Sequence, residues 1–349
     1  FMSRGYKSSD EPVMHFGLGH DTKILEMSVT WPSGIVQRFE DLDVDRLYTV
    51  RETDAGTGSA SPVKQVKPQF TDVGLDSGLT FTHKERVYDD YKRQKLLPGK
   101  QSQFGPGMAW GDADGDGLDD LFIGGAAGQS GELYINQGSG RFDKSKKTSP
   151  WSDDSEREDM SVLWMDVDSD GDLDLFVASG TSEYPQGDCR QRNRLYLNDG
   201  DGAFSKAGKD MLPKSSRYSS AAVAADYDRD GDLDVFIGSR SVPGKYPLTA
   251  DSQLLRNDDG KYVDVTDEVA PQLRDVGIVT AALWSDTDGD GRLDLLVTCE
   301  WGAVKLFKNT GDGLVDNTKP AGLSDRLGWW NSITGADLDS DHDMDYIVL

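Results

Sequence analysis

The apolar residues of this chain fall into short runs rather than helix-spaced stripes. From Leu25 to Trp31, the side chains Leu25, Met27, Val29 and Trp31 alternate with Glu26, Ser28 and Thr30, the period-two signature of a half-buried strand. Pro32-Ser33-Gly34 then turns the chain, and Ile35–Phe39 and Leu47–Val50 are expected to pair with the first strand. Beyond residue 100 the pattern becomes a cycle. A short apolar or small-residue stretch comes first: Met108-Ala109-Trp110, Val162-Leu163-Trp164, Ala222-Val223-Ala224, Ala282-Leu283-Trp284 and Ile333-Thr334-Gly335. An Asp-rich nonapeptide follows, and then a solidly apolar run, as in Leu121-Phe122-Ile123, Leu175-Phe176-Val177, Val235-Phe236-Ile237, Leu295-Leu296-Val297 and Tyr346-Ile347-Val348. Such runs read as strands buried on both faces.

Four of the cycles continue into a third strand that ends in Asn136, Asn198, Asn257 or Asn309. A Gly/Asp turn then leads to a weaker fourth strand, such as Ala203-Phe204-Ser205. The first Asp of each nonapeptide is Asp112, Asp166, Asp226, Asp286 or Asp337, giving steps of 54, 60, 60 and 51 residues. Four strands in about 50–60 residues make one propeller blade. The pattern therefore predicts an all-β chain: a β-propeller of four-stranded blades, about five of them visible, preceded by a small β module. The expected divisions are residues 1–52 for the β module, 53–69 for a linker rich in Gly, Ser, Thr, Pro and Lys, and 70–349 for the propeller. Phe70–Val73 and Gly78–Phe81 read as its opening strands. The chain has no Met at position 1 and stops inside a strand at Tyr346–Leu349, so both ends read as clipped and the propeller as truncated at its C-terminus.

Charge changes the picture. The formal net charge is −25, and 24 of the 62 acidic residues sit in the five nonapeptides. Clusters of this kind repel unless cations neutralise them. Five divalent ions would bring the formal charge to about −15. No basic patch offsets the acidic field, so nucleic acid is not an expected partner. No apolar run reaches the ~18 residues of a membrane-spanning helix.

The nonapeptides read D-x-D-x-D-(G/H)-x-x-D. Calcium takes six to eight oxygens at flexible geometry, largely carboxylates and carbonyls. Positions 1, 3 and 5 can turn inward in a tight loop. They are Asp112, Asp114 and Asp116; Asp166, Asp168 and Asp170; Asp226, Asp228 and Asp230; Asp286, Asp288 and Asp290; and Asp337, Asp339 and Asp341. Position 7 offers a backbone carbonyl, from Leu118, Asp172, Asp232, Arg292 and Asp343. Position 9 closes the cage with Asp120, Asp174, Asp234, Asp294 and Asp345. The expectation is about five Ca2+ sites. Gly at position 6 permits the sharp bend, and His342 replaces it in the fifth loop. An EF-hand needs a Glu at position 12 and flanking helices. Here position 12 is Ile123, Val177, Ile237, Val297 or Val348, and the flanks read as strands.

Other candidate chemistry is sparse. Cys189 and Cys299 lie in different cycles and read as one loop thiol and one strand thiol. His15 and His20 lack further zinc ligands, and His83 stands alone in the sequence. No nucleophile–base pair is visible. Tyr88, Tyr91, Lys92 and Arg93 read as a packed inter-blade segment ahead of an anion-binding patch, and Trp329-Trp330 as blade-edge packing ahead of a sugar platform.

These loops resemble the FG-GAP/VCBS repeats of integrin-alpha propellers and their bacterial relatives, over roughly residues 70–349, with Phe104-Gly105-Pro106-Gly107 in the place of the FG-GAP opening. His15-Phe16-Gly17-Leu18-Gly19 and Val29-Thr30-Trp31-Pro32-Ser33-Gly34 resemble an ASPIC/UnbV module, found beside FG-GAP repeats in the cartilage acidic protein family and in secreted bacterial proteins. The resemblance implies a seven- or eight-bladed propeller with calcium on the loops of one face, an extracellular, periplasmic or cell-surface location, and a longer multi-propeller parent protein. The leading functional expectation is a calcium-binding adhesion module that engages a protein or a glycan. Extracellular sites of this kind often have dissociation constants of about 10⁻⁴–10⁻³ M, so they would fill outside a cell. The alternative is a polysaccharide lyase or hydrolase with its site in the propeller funnel, which a convergence of His, Tyr and Arg there would favour; a passive spacer is a third reading.

Overall fold

The computed structural model describes residues 16–52 and 70–349. His15 and the expected linker at 53–69 lie outside the described residues. The chain divides into two compact units, Phe1–Asp72 and Val73–Leu349.

In the first unit β1 (Lys23–Thr30) pairs antiparallel with β2 (Val36–Asp43), with Met27 opposite Phe39 and Thr30 opposite Val36. The turn is built as the Pro-Ser-Gly signal requires. Gly34 has φ 88° and donates to the Trp31 carbonyl at 2.9 Å. Met27, Val29 and Trp31 are half-buried, but Leu25 is 79% exposed. The ladder has no pair at Leu25, and Asp41 on the partner strand is left-handed at φ 55°. Leu47–Val50 does not join the sheet. A second left-handed residue, Asp45 (φ 53°), redirects the chain. Leu47 is exposed, and Tyr48 Oη donates to the Asp43 carbonyl.

The second unit is built from repeated four-stranded antiparallel sheets. The first holds β3 (Met108–Gly111), β4 (Asp120–Ile123), β5 (Glu132–Asn136) and β6 (Phe142–Lys144). The second holds β7 (Asp159–Met165), β8 (Asp174–Ser179), β9 (Arg194–Asn198) and β10 (Phe204–Lys206). The third holds β11 (Ser219–Ala225), β12 (Asp234–Ser239), β13 (Gln253–Asp258) and β14 (Lys261–Asp264). In the fourth, β15 (Ile278–Ser285) and β16 (Asp294–Glu300) are followed by a short strand, β17 (Gly302–Ala303), that leaves the sheet. The sheet resumes with β18 (Lys305–Asn309) and β19 (Leu314–Asp316). β17 pairs instead with β20 (Leu327–Gly328), and β21 (Ile333–Ala336) pairs with β22 (Asp345–Val348). Each nonapeptide joins the first strand of a sheet to its second, as expected of propeller blades.

The first strands of successive blades are neighbours, β3 beside β7, β7 beside β11, β11 beside β15 and β15 beside β21. The second strands lie sealed between blades, and every residue of β4, β8, β12 and β16 is buried. This is why they read as unbroken apolar runs. Each core layer draws on two blades. Phe122 and Leu133 pack with Val162, Leu175, Val177 and Phe204. Phe176 and Leu195 pack with Val235, Ile237 and Tyr262. Phe236 and Leu254 pack with Leu295, Val297 and Phe307. Burial of one such side chain is worth about 1.5–3 kcal/mol.

The segment expected to open the propeller is not a strand pair. Leu75–Gly78 forms a turn with Gly78 at φ 93°, and the Phe142 amide donates to the Ser77 carbonyl at 2.7 Å. Leu79 and Phe81 pack beside Phe142 onto Leu121, Ile123 and Tyr134. Leu79 and Phe81 thus cover the outer edge of the first blade, whereas Phe70, Val73 and Leu75 are exposed.

Candidate metal centres

The loops are shaped by their own carboxylates. At position 1, Asp112 accepts from the amides of Gly115 (2.8 Å), Asp116 (3.1 Å) and Gly117 (2.9 Å). Asp286 repeats the pattern with Gly289, Asp290 and Gly291. Asp166 accepts from Asp170 and Gly171, Asp226 from Gly231, and Asp337 from Ser340 and His342. At position 5, Asp116, Asp170, Asp230, Asp290 and Asp341 each accept from the amide of position 7, at 2.8 to 3.0 Å. The amide of position 7 thus points at position 5.

Position 6 is left-handed in every loop: Gly117 φ 86°, Gly171 96°, Gly231 103°, Gly291 81° and His342 75°. His342 therefore takes the glycine conformation at a steric cost that Gly avoids. Position 4 is also left-handed, at Gly115, Ser169, Arg229, Gly289 and Ser340. The sequence signal for this was the Gly at two of those five places.

Position 9 has a structural duty. Asp120, Asp174 and Asp234 are buried, and each accepts from the amide of position 2 (Ala113, Val167, Tyr227) and from the amide of the third-strand Asn (Asn136, Asn198, Asn257), at 2.7 to 3.2 Å. Asp294 does the same with Thr287 and Asn309, and Asp345 accepts from Leu338. The Asn side chains then reach one blade back. Asn198 donates to the Ala113 carbonyl (2.9 Å), Asn257 to Val167 (2.9 Å) and Asn309 to Tyr227 (2.8 Å). Trp164 and Trp284 make a parallel link through Nε1 to the carbonyls of Ala109 and Val223, both at 3.2 Å. Sequence reasoning saw the recurring Asn and Trp but not these tasks.

Carboxylate oxygens of Asp112, Asp114 and Asp120 lie within 4.8 Å of one another, as do those of Asp166, Asp168 and Asp174. The same holds for Asp226, Asp228 and Asp230, and for Asp286, Asp288 and Asp290. These groups can hold a metal ion. Burial, reinforced by neighbouring carboxylates, raises Asp114, Asp168 and Asp228 above the usual carboxylate range. Burial pushes Asp120 and Asp174 up to about 6 and Asp234 to about 7, against the pull of their backbone donors. Asp114 Oδ1 and Asp226 Oδ1 are buried with no hydrogen-bond partner. Unpaired buried oxygens among like charges suit a hard cation, so the donor set fits calcium. In the fourth loop the chain supplies part of the counter-charge, since Lys308 pairs with Asp288 and the Arg292 guanidinium with Asp290. In the fifth loop Asp337, Asp339, Asp341 and Asp343 stay on the surface, and Asp345 is half-buried.

The opposite ends of the inner strands carry a second polar layer. Arg194 pairs with Asp159, and Arg240 with Glu300. Tyr218 donates to the Gln101 carbonyl, and Tyr246 Oη donates to Glu300 Oε2 at 3.0 Å. Ser102 and Ser182 both donate to buried Asp90 at 2.6 Å. The Tyr and Arg side chains named here bond to protein groups, though Arg240 Nε is buried without a partner. Arg93 donates to the Ser182 carbonyl and Gln94 to that of Tyr246, so the 88–94 segment packs across blades. Trp330 donates to the Gly302 carbonyl and packs on the fourth blade, and Trp329 meets Trp301 edge to face at 4.5 Å. Cys189 sits in an exposed 3-10 turn, and Cys299 is buried in β16. His83 is not isolated, because its Nε2 lies 2.8 Å from Glu85 Oε1 and the pair adjoins Glu158.

Residues 112–177, 166–237 and 286–348 match the FG-GAP-like repeat, and residues 1–57 match the ASPIC and UnbV family. No curated protein matches the chain. Among solved structures it is similar to an Agrocybe aegerita lectin described as recognising non-reducing terminal N-acetylglucosamine, at 17% identity and a TM-score of 0.41, covering 62% of this chain and 51% of the lectin. An exotype rhamnogalacturonan lyase follows at 15% identity and 0.33, covering 68% and 47%. The V. cholerae biofilm matrix protein Bap1 is similar at 16% and 0.32, covering 72% and 36%. The chain thus spans about half or less of these proteins' lengths.

Proposed function

The chain belongs to the FG-GAP-like repeat family, and from that premise we propose that it is a calcium-stabilised propeller segment that serves as a binding or adhesion module outside the cell. The observation that carries this reading is Asp226 Oδ1, buried and unpartnered beside Asp228 and Asp230. Asp114 Oδ1 repeats it two blades earlier. An ion bound there joins the first and second strands of one blade and fixes the loop whose position-2 carbonyl receives the next blade's Asn. Calcium thereby couples to blade stacking. Among the described residues no helix is long and apolar enough to cross a membrane. The partner class is a protein or glycan held by the rigidified surface.

Equilibrium dialysis against radioactive calcium tests the metal half. Four to five ions per chain, reduced by one in the Asp226→Ala/Asp228→Ala double variant, support it; no retained calcium sinks it. Protein and glycan arrays in millimolar calcium and in EGTA test the binding half. The reading expects a ligand whose capture is lost in EGTA, and calcium-independent capture or none would contradict it.

A further inference from the structure

The sequence His83-Lys84-Glu85 runs past the start of β7, where Glu158 precedes Asp159. This lies at the far end of a seven-residue inner strand from the Asp166 loop, roughly 23 Å away at a strand's rise per residue. A ring nitrogen of His83 and one oxygen each of Glu85 and Glu158 lie within 4.8 Å of one another. Glu158 is 1% exposed. Its Oε2 accepts from the Ala127 amide at 2.8 Å, and its Oε1 is buried with no partner. His83 Nδ1 is also buried without a partner, while Nε2 meets Glu85 Oε1.

Chemistry narrows what can fill this gap. The ring nitrogen beside Glu85 is Nε2, and with the proton on Nδ1 it offers its lone pair to an ion held between the two side chains. Glu158 Oε1 presents another lone pair and has no hydrogen-bond partner. The charged neighbours that act on Glu158 are the carboxylates Glu85, Glu183 and Asp159. Glu183 is paired with Arg86 and Asp159 with Arg194, so the nearby guanidiniums are already engaged. The site is also held from behind. Gln129 brackets the 82–84 backbone, accepting from the Lys84 amide (2.7 Å) and donating to the Thr82 carbonyl (2.9 Å). A Cβ on Gly105 would stand 3.0 Å from Glu158 Oε1, so glycine leaves the space beside that oxygen open.

We propose that His83, Glu85 and Glu158 form a zinc-class divalent metal site, distinct in place and chemistry from the Asp loops. One imidazole with two carboxylates is a borderline donor set, which suits zinc better than calcium. Three protein ligands leave one coordination position open to water or to an oxygen of a ligand. The side chains of His83 and Glu85 are 22% and 19% exposed, which gives the ion a way in. Atoms about 2.1 Å from one zinc are at most about 4.2 Å apart, so the bound ion draws the three side chains slightly together and fixes the 82–85 segment on the blade. This site stands whether or not the Asp loops hold calcium.

The test uses the full chain held in millimolar calcium to occupy the loops, then given zinc and gel-filtered, with zinc and calcium counted by elemental analysis. Cobalt substitution, read by its visible absorption, reports imidazole and carboxylate ligation directly. The expected result is one retained zinc per chain, lost in His83→Ala and in Glu158→Gln, with the calcium count unchanged. His83→Ala alters a partly exposed side chain, which keeps the test valid should Glu158→Gln fail to fold. Zinc retained equally by both variants would place it elsewhere and overturn the proposal. No retained zinc would overturn it too.

Discussion

The side-chain amide of Asn257 donates to the carbonyl of Val167, 90 residues earlier and one blade back. The same Asn takes part in its own blade, since its amide donates to Asp234 and its Oδ1 accepts from Gly260. One buried side chain thus ties a third strand, its own Asp loop and the preceding Asp loop. Asn257→Ala strands the Val167 carbonyl and the Gly260 amide. A buried group left unsatisfied costs about 1–3 kcal/mol, so chemical denaturation of the variant should show a loss of at least that size. An unchanged midpoint would mean the blades do not depend on this link.

Phe236 lies fully buried between the third and fourth blades. Phe236→Ala removes a ring from a sealed layer and should cost about 3–5 kcal/mol. The loss should appear in calcium and in EGTA alike, because the ring fills the apolar layer between the blades. Denaturation under both conditions checks this.

If the loops hold calcium as proposed, protons should compete with it there. Asp120, Asp174 and Asp234 sit at about 6 to 7 in the folded chain, against about 3.9 unfolded. A carboxyl whose folded value is raised adds stability below the unfolded value and loses it as pH climbs through the folded one. In EGTA the melting temperature should therefore fall from about pH 4 to about pH 7. Calcium should flatten or reverse that slope, since the ion takes the proton's place. A flat profile in EGTA would show these carboxyls at ordinary values.

The two thiols should separate cleanly. Cys189 is exposed, whereas burial pushes the Cys299 thiol up to about 12. Thiolate is the reactive form, so a disulfide reagent at pH 8 should consume one equivalent in the native chain and two after unfolding. Two equivalents in the native state would contradict the sealed β16.

The blades were legible because their second strands are apolar on both faces, as in Leu175-Phe176-Val177 and Val235-Phe236-Ile237, and because Asp and Gly mark each loop. What was hidden ends on backbone. The Asn257 link terminates on a carbonyl, which every residue carries, so no side-chain pattern announces it. The Gly78–Phe81 stretch reads as a strand, but Leu79 and Phe81 serve as an edge cover on the first blade, beside the Phe142 amide bond to the Ser77 carbonyl. Leu47–Val50 failed to pair because Asp41 and Asp45 turn left-handed, which Asp tolerates without signalling. His83 looked solitary because its neighbour Glu158 lies in the next blade.

Thermal melting of the full chain in about 5 mM calcium and in EGTA tests the central claim most directly. With dissociation constants of about 10⁻⁴–10⁻³ M, each filled loop adds about 1–2 kcal/mol. Four to five loops should raise the melting temperature by many degrees in calcium, and the Asp226→Ala/Asp228→Ala variant should lose a share of that rise. Identical melts in calcium and EGTA would mean that the Asp loops are only turns, and the account of a calcium-coupled propeller would fall.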